Sequence, residues 1–393
     1  MFVLRTVADT EIPSCSMEPR WNVLWRSVFY VAIVLGFTFA LLSKAQAAVQ
    51  TCDESGLNAA LAAGGTNTFS CAFPTVVTVS SSKTVSVSGT VLDGGGRLTI
   101  SGGGAFRVFA VNSGVTATFQ NLTITNGFSN GASGIFNAGT TIINNCTFSA
   151  NATLTGSAGA IQNVGTALTI SGSTFLGNSA SSGGAIANQA PLAISNSTFA
   201  NNSASQVGGA ILIVSGPVTI INSTISGNSA AVAFGGGGIF GTATLENTIV
   251  ANNYANGAMN CNGAITAGAD SMSDDATCGS ATQKTLAQIG LGALTGSPSY
   301  FPLNSGSAAI DAGNNAYCAA APVNNTSQNG VTRPTDGDNN GSAICDIGSY
   351  EVPAAVANST SVPTLQQWTF VLLELLLFLT ASNHYLRTRK ERS

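Results

Sequence analysis

Charge is the first thing this chain lacks. Of 393 residues only 8% are Asp, Glu, Lys or Arg, and there is a single histidine. Between Ala48 and Glu351 five Lys and Arg stand against twelve Asp and Glu. Such a stretch has no clustered cations to neutralise phosphates, which argues against nucleic acid or anionic lipid as its partner. The one histidine, His384, lies close to the C-terminus, so the body of the chain has no Ser-His-Asp or Cys-His catalysis. From Val115 to Asn253 the shortage is almost complete, with one acid, Glu246, and no Lys or Arg. Aromatic residues are sparse at 7%, and long apolar runs occur only near the two ends.

What the chain has instead is repetition. One phrase returns six times, as NLTI (121–124), NCTF (145–148), GSTF (172–175), NSTF (196–199), NSTI (222–225) and ENTI (246–249). Its closing apolar residues, Ile124, Phe148, Phe175, Phe199, Ile225 and Ile249, are spaced 24, 27, 24, 26 and 24 apart. Five residues earlier stand Phe119, Ile143, Ile170, Ile194, Ile220 and Thr244, and three later Gly127, Asn151, Asn178, Asn202, Asn228 and Asn252. Pairs such as Leu168/Ile170, Leu192/Ile194 and Val218/Ile220 alternate with small polar residues, the period-2 mark of strands with one buried face. A second phrase, GAIQN (159–163), GAIAN (184–188) and GAILI (209–213), keeps the same beat. Each repeat thus holds about three short strands. A unit this small cannot close a core alone, but coils stacked at ~4.8 Å bury one another's inward residues. The expected fold is all-β, a right-handed parallel β-helix solenoid. Asn suits its turns because it tolerates left-handed backbone and its amide can bond the Asn above and below. Leucine-rich and ankyrin patterns are missing. The N-x-Ser/Thr strings at Asn121, Asn196 and Asn222 recur because the coil recurs and are not read as glycosylation sites.

Around the repeats the chain divides. Residues 1–47 have the three parts of a secretory signal: Arg20 and Arg26, the apolar run Ser27 to Leu42, and Ala45-Gln46-Ala47 as a cleavage site. Either Met1 or Met17 could be the start, and an uncleaved anchor is the alternative. Residues 48–75, with helix-like CDESGLNAALAA at 52–63, are expected to cap the first coil, since an open edge recruits other strands. The β-helix is assigned to 76–253. From Asn253 the beat fails, and 254–351 is assigned to a C-terminal cap, with a short helix at 285–289. A linker at 352–361 leads to a tail at 362–393, whose apolar run from Thr369 to Ala381 is followed by Arg387, Arg389, Lys390 and Arg392, the order of a transmembrane helix with cytoplasmic positive charge.

Export makes disulfides available to seven of the eight Cys, Cys15 lying in the leader. Sequence neighbours that flank loops pair Cys52 with Cys71, Cys261 with Cys278 and Cys318 with Cys345, one of fifteen possible connectivities. Cys146 stands in the slot that Ser173, Ser197 and Ser223 hold in other coils, and is read as a reduced thiol replacing Ser.

Three resemblances follow from particular residues. Asp93-Gly94-Gly95-Gly96, with Phe106 to Phe109 and NSGVTATFQNLTITNG, resembles the opening coils of pectate-lyase-like β-helix proteins. That family's enzymes use paired or triple Asp, or acid-bound calcium with a Lys or Arg base. The repeats cannot assemble two carboxylates, so no catalytic residue is assigned and Asp93 is read as a turn residue. GSAAIDAG (306–313) and RPTDGDNNGSAICDIGSYE (333–351) are similar to the choice-of-anchor Q module of bacterial surface β-helix proteins, with Ala308 where Pro is usual. Within the second phrase Asp336, Asp338 and Asn340 match the first half of a calcium loop, but Ile347 stands where its Glu belongs; a solvated acidic turn is the other reading, and Asp311 and Asp346 are expected to bond backbone amides. Finally VPTLQQW, with Val362, Pro363, Thr364, Leu365 and Trp368, resembles the IPTL-CTERM sorting signal of Gram-negative envelope proteins, though Val362 replaces Ile and Glu374 interrupts the apolar run. The likeness implies a membrane exosortase-type transpeptidase as partner. Together these lead to an exported, non-enzymatic envelope or surface protein, structural or adhesive, with extracellular polysaccharide or matrix as a partner; a polysaccharide lyase or hydrolase is the alternative.

Overall fold

The computed structural model describes residues 47–257, 259–354 and 372–380. Alternation of apolar and small polar residues resolves into a parallel β-solenoid of about eight turns. Its faces are an 18-stranded sheet, an eight-stranded sheet and a short four-stranded one. The 18-stranded sheet holds two ladders. In the first, Phe119, Ile143, Ile170, Ile194, Ile220 and Leu245 lie in register and are buried. In the second, Ile124, Phe148, Phe175, Phe199, Ile225 and Val250 do the same. The rings of Phe148, Phe175 and Phe199 stack at 4.9 and 4.6 Å, as the coil spacing dictates. The eight-stranded sheet completes the core with Phe109, Ile135, Ile161, Ile186, Ile211, Ile239 and Cys261 in line.

The two ladders meet at a left-handed residue, which turns the chain without breaking the sheet: Asn121, Asn145, Gly172, Asn196, Asn222 and Asn247, with φ between 46° and 60°. This is why the N-x-Ser/Thr string recurs. The last copy is one residue out of the expected register, for Asn222 and Asn247 share the turn and Ile225 faces Val250. The stacking residues of that coil are therefore Leu245 and Val250 rather than Thr244 and Ile249.

The ladder of amides is present, at Asn151, Asn178, Asn202, Asn228 and Asn253, all buried. Each Nδ2 donates to the next Oδ1 at 2.8 to 3.0 Å. Each also donates to a carbonyl of the preceding coil. Asn253, not Asn252, continues the row. Left-handed backbone falls one residue before the ladder, at Ala150, Gly177, Asn201, Gly227 and Asn252, so the amides are there for bonding and not for their φ. A second buried row runs from Asn137 to Asn163 to Asn188 at 2.8 and 2.7 Å.

At the N-terminal end, α1 (Glu54–Ala63), capped by Asp53, lays Leu57, Ala60 and Leu61 over the first coil. Glu54 meets Lys83 at 2.6 Å, where Lys83 opens the ladder that Phe109 continues. Strands Ala48–Gln50 and Thr66–Phe69 flank the helix and join the large sheet, so stacking begins within the cap. At the other end the coils continue past Asn253: Cys261–Asn262, Ile265–Ala267 and Met272–Ser273 pair with the coil below. The sequence hid this coil because its inward positions are Cys261, Ala267 and Ser273 rather than Ile or Phe.

Beyond α2 (Leu286–Ile289), which has the capping box of Thr285 and Gln288, the chain doubles back along the solenoid's flank. Ile289, Leu303, Ala309 and Ile347 pack on the outward Ile249, Ala251 and Met272. Thr198 bonds Gln328 and Ser349, Ser349 N donates to Thr224 Oγ1, and Asn247 exchanges bonds with Asn314. This C-terminal segment thus covers a side as well as an end. Of the expected membrane helix only residues 372–380 are described, and they are helical and exposed; the rest of that span lies outside the described residues. No helix among the described residues is long and apolar enough to cross a membrane.

Candidate functional site

The three disulfides join the expected cysteines, Cys52 to Cys71, Cys261 to Cys278 and Cys318 to Cys345. Cys146 is free and buried. Its Sγ lies 3.3 Å from the Asn144 carbonyl, where the hydroxyls of Ser173, Ser197 and Ser223 make the equivalent bond in their coils. Burial pushes its thiol up to about 12, so it is an inert filler and not a nucleophile.

Asp336 and Asp338 share a turn with Asn340, but their oxygens accept from the backbone of Asn340 and Gly341, and Asn340 Oδ1 accepts from Ser342 N. A third carboxylate, Asp311, is brought to Asp336 and Asp338, one oxygen of each lying within 4.8 Å of the others, while Asn340 Nδ2 donates to Asp338 at 3.0 Å. Asp311 accepts from Gly337 N and Asp338 N, as expected of a turn residue. Asp346 accepts from Asp311 N and Val352 N, and so is taken up in the module's interior. There Arg333, 1% exposed, donates to the carbonyls of Asp346, Gly348 and Tyr350 and meets Glu351 at 3.5 Å. Burial pushes the Asp346 carboxyl up to about 7, with the charge of Glu351 adding to it.

Ala45, Val362, Pro363, Thr364, Leu365, Trp368 and His384 lie outside the described residues, and Ala47 is the first described one, exposed.

Where the C-terminal segment stops short of the first coils, a cleft of about 850 Å³ is left. Its floor is the row of left-handed turns, Asn121, Asn145, Gly172 and Asn196, with Asn144, Thr123, Thr147 and Ser171 beside them. Its far wall is Asn325 to Thr332 with Ser297 and Pro298. One end is the DGGG turn. There four residues, Gly94 to Arg97, stand opposite the single Asn121, a bulge where other coils have one turn residue. Asp93 accepts from Gly95 N, Gln120 and Asn121 at 2.9 to 3.0 Å. Partial burial opposes its ionisation, but the bonds from Asn121, Gly95 and Gln120 outweigh it and hold the carboxyl below its ordinary value. Among the described residues that line the cleft, Asp93 is the one with a charge. The lining can exchange hydrogen bonds; it offers no second carboxylate for hydrolysis and no base for elimination.

On the solenoid itself, stacking sets a second acid near Glu246, the one acid of the repeats. Asp270, from the coil after Glu246, lies close enough to raise it. Burial raises the Glu246 carboxyl first, and the charge of Asp270 adds. Glu246 in turn raises Tyr317, on α3 (Asn315–Ala319), from its ordinary value. No run of the sequence signals this pair, because the two acids meet only through the stacking of coils.

No protein-family model matches the chain, and neither the curated proteins nor the solved structures contain a match to it.

Proposed function

We propose that the chain is an exported, non-enzymatic protein of the bacterial cell envelope, a rigid β-solenoid presented for structural or adhesive contact with extracellular polysaccharide or matrix. The observation that carries this is the cleft: an amide- and hydroxyl-lined surface with one carboxylate holds a ligand without supplying an acid and base to cut it. Three disulfides fit an oxidising compartment, as does the signal-like pattern of residues 1–47. We take the winding as right-handed, since parallel crossovers are so in about 98% of cases. The likeness to pectate-lyase-like proteins then concerns fold alone.

Likeness to the choice-of-anchor Q module is supported by how its two phrases interlock. Asp311 of the first and Asp346 of the second are tied by a backbone bond, and Arg333 and Glu351 close the second on itself. VPTLQQW is assigned to sorting by an exosortase-type membrane enzyme, with the cell surface or envelope as destination. Peptides from the surface fraction test this. The mature chain is expected to begin at Ala48 and end near Val362 to Gln367, and recovery of residues 368–385 from exported protein would refute removal of the tail.

A hydrolase is the second reading, because Glu246 and Asp270 lie on stacked coils, near enough for the charge of Asp270 to raise Glu246. Incubation of the protein with neutral and acidic polysaccharides decides between them. New reducing ends or unsaturated products that vanish in Glu246→Gln would establish an enzyme.

A further inference from the structure

From Asn121 to Asn247 the left-handed turn carries an amide in every coil but one. Asn145 donates to Asn121 at 3.4 Å, and the row would run on if residue 172 were Asn. It is Gly172, so Asn145 Oδ1 receives no donor from the coil above. On the other side of the gap stands Asn196, 2% exposed. The sense of the row would carry its Nδ2 to residue 172; it donates instead to Thr326 Oγ1 at 3.1 Å, while its Oδ1, which Asn222 Nδ2 leaves for Cys318 Sγ, has no hydrogen-bond partner among the described residues. Both residues line the cleft, as does Gly172. Gly172 thus removes two bonds from the row, the donor to Asn145 Oδ1 and the acceptor for Asn196 Nδ2, and the opening it leaves lies on the floor of a cavity large enough to admit a group that replaces both.

The chemistry of that occupant is narrow. It must supply hydroxyl or amine donors to amide oxygens and accept from amide nitrogens. An anionic chain finds no cation among the described lining residues and meets Asp93; a cation finds a single carboxylate. An extended peptide adding to a sheet needs an unpaired strand edge, and the strands beneath the cleft are paired on both sides. Sugar hydroxyls both donate and accept and carry no charge. Resting on the retention function proposed above, we propose that the gap at Gly172 is the centre of a binding site for a segment of neutral glycan, with Asn145 and Asn196 as its hydrogen-bond partners. Five coils contribute to the floor, from Asp93 to Asn196. At ~4.8 Å a coil the site is roughly 19 Å long and takes an oligosaccharide of a few residues. The described lining has no aromatic ring to stack on a sugar, so binding rests on hydrogen bonds and is weak.

Titration of the full-length chain with cellotetraose, mannotetraose and tetragalacturonate, by calorimetry or NMR, tests the proposal. At least one neutral tetrasaccharide is expected to bind, and the acidic one to bind at least tenfold more weakly. Gly172→Asn restores the amide row, in a backbone that its Asn neighbours already adopt, and fills the floor. The new Cβ meets Asn145 Oδ1, the end of a flexible side chain that can turn aside to bond the added amide. This variant is expected to cost tenfold or more in affinity with the melting curve preserved. Asn145→Gly keeps the left-handed backbone and removes the acceptor that faces the gap, with the same expected loss. Asn222→Gly is the matched control: its Oδ1 is also unpartnered, but Asn222 donates to Cys318 Sγ under the C-terminal segment, outside the cleft. It should leave affinity unchanged. Failure of both neutral sugars to bind, preference for tetragalacturonate, or unaltered binding by Gly172→Asn overturns the neutral-glycan site and leaves the surface rod standing. Release of shorter sugars during the titration instead overturns the non-enzymatic function.

Discussion

Replacing Asn202 by Ala takes one rung from the middle of the buried amide ladder. Asn202 Oδ1 accepts from Asn178 N at 3.0 Å and Asn178 Nδ2 at 2.9 Å, and its Nδ2 donates to Phe175 O at 2.9 Å and Asn228 Oδ1 at 2.8 Å. After truncation Asn178 Nδ2 keeps Phe148 O, and Asn228 Oδ1 keeps the backbone N–H of residue 202. Asn178 N is left without an acceptor, and Phe175 O loses a donor. One orphaned buried donor costs about 1 to 3 kcal/mol, and the three weakened groups about 0.5 to 1.5 each, so the expected loss is roughly 2.5 to 7.5 kcal/mol. That is a large share of a typical total of about 5 to 15 kcal/mol. At about 2 °C per kcal/mol, suited to a large domain, Tm falls by roughly 5 to 15 °C. Urea unfolding followed by circular dichroism measures it, with the exposed Ser205→Ala as a control expected within about 0.5 kcal/mol. A loss below about 1 kcal/mol would refute the claim that the side chain satisfies otherwise unpaired backbone groups.

Cys146→Ser should fold with stability within about 1 kcal/mol of the parent, because Ser fills this slot in three other coils and finds the same carbonyl; native Cys146 should resist iodoacetamide until the chain unfolds, and rapid native labelling would contradict its burial. The raised carboxyl of Asp346 makes a pH prediction: the folded state binds a proton more tightly than the unfolded one between a pH near 4 and about 7, so this group's contribution to stability declines as pH rises through that window. Each tenfold difference in proton affinity between the folded and unfolded chain sets at most ~1.4 kcal/mol of that decline. Asp346→Asn should flatten the profile measured at pH 5 and 7.5, and a parent profile that rises through the window, with the rise abolished by Asp346→Asn, would reverse the assignment. Non-reducing peptide mapping should recover the three local disulfides, and a bridge containing Cys146 would contradict the structure.

The solenoid was legible because its signal is spread over six copies. Inward Ile and Phe at a fixed beat leave stacking as the way to bury them, and a Cys in a Ser slot is visible by the same comparison. What the sequence concealed lies where one coil differs from its neighbours by small steps. The slip that puts Val250 rather than Ile249 over Ile225 is invisible when both are apolar. The coil at Cys261 to Ser273 has inward residues too small to keep the beat. The return of the C-terminal segment along the flank depends on contacts such as Thr198 with Gln328, 130 residues apart, which no local pattern encodes. The cleft is a product of that return, so its composition could be read from the sequence but its existence could not.

In a stacked coil every position is held by the same position above and below, and a side chain that departs from its column loses ladder bonds and packing at once. Departures are therefore the places where something other than stacking has to account for the residue. Cys146 is explained by its own column, since it makes the Ser bond. The slip at Val250 is explained by the C-terminal segment, which packs on the outward Ile249 it creates. Two departures remain, the four-residue bulge after Asp93 and the missing amide at Gly172, and both open onto the same cleft. Neither improves the stack: the bulge interrupts pairing, and Gly172 leaves amides on both sides of it without ladder partners. Their coincidence at one cavity, on a face that the C-terminal segment leaves bare, is what separates a binding surface from an irregular stretch of rod. If Gly172→Asn raised stability while abolishing glycan binding, the missing rung would be shown to serve the ligand and not the fold.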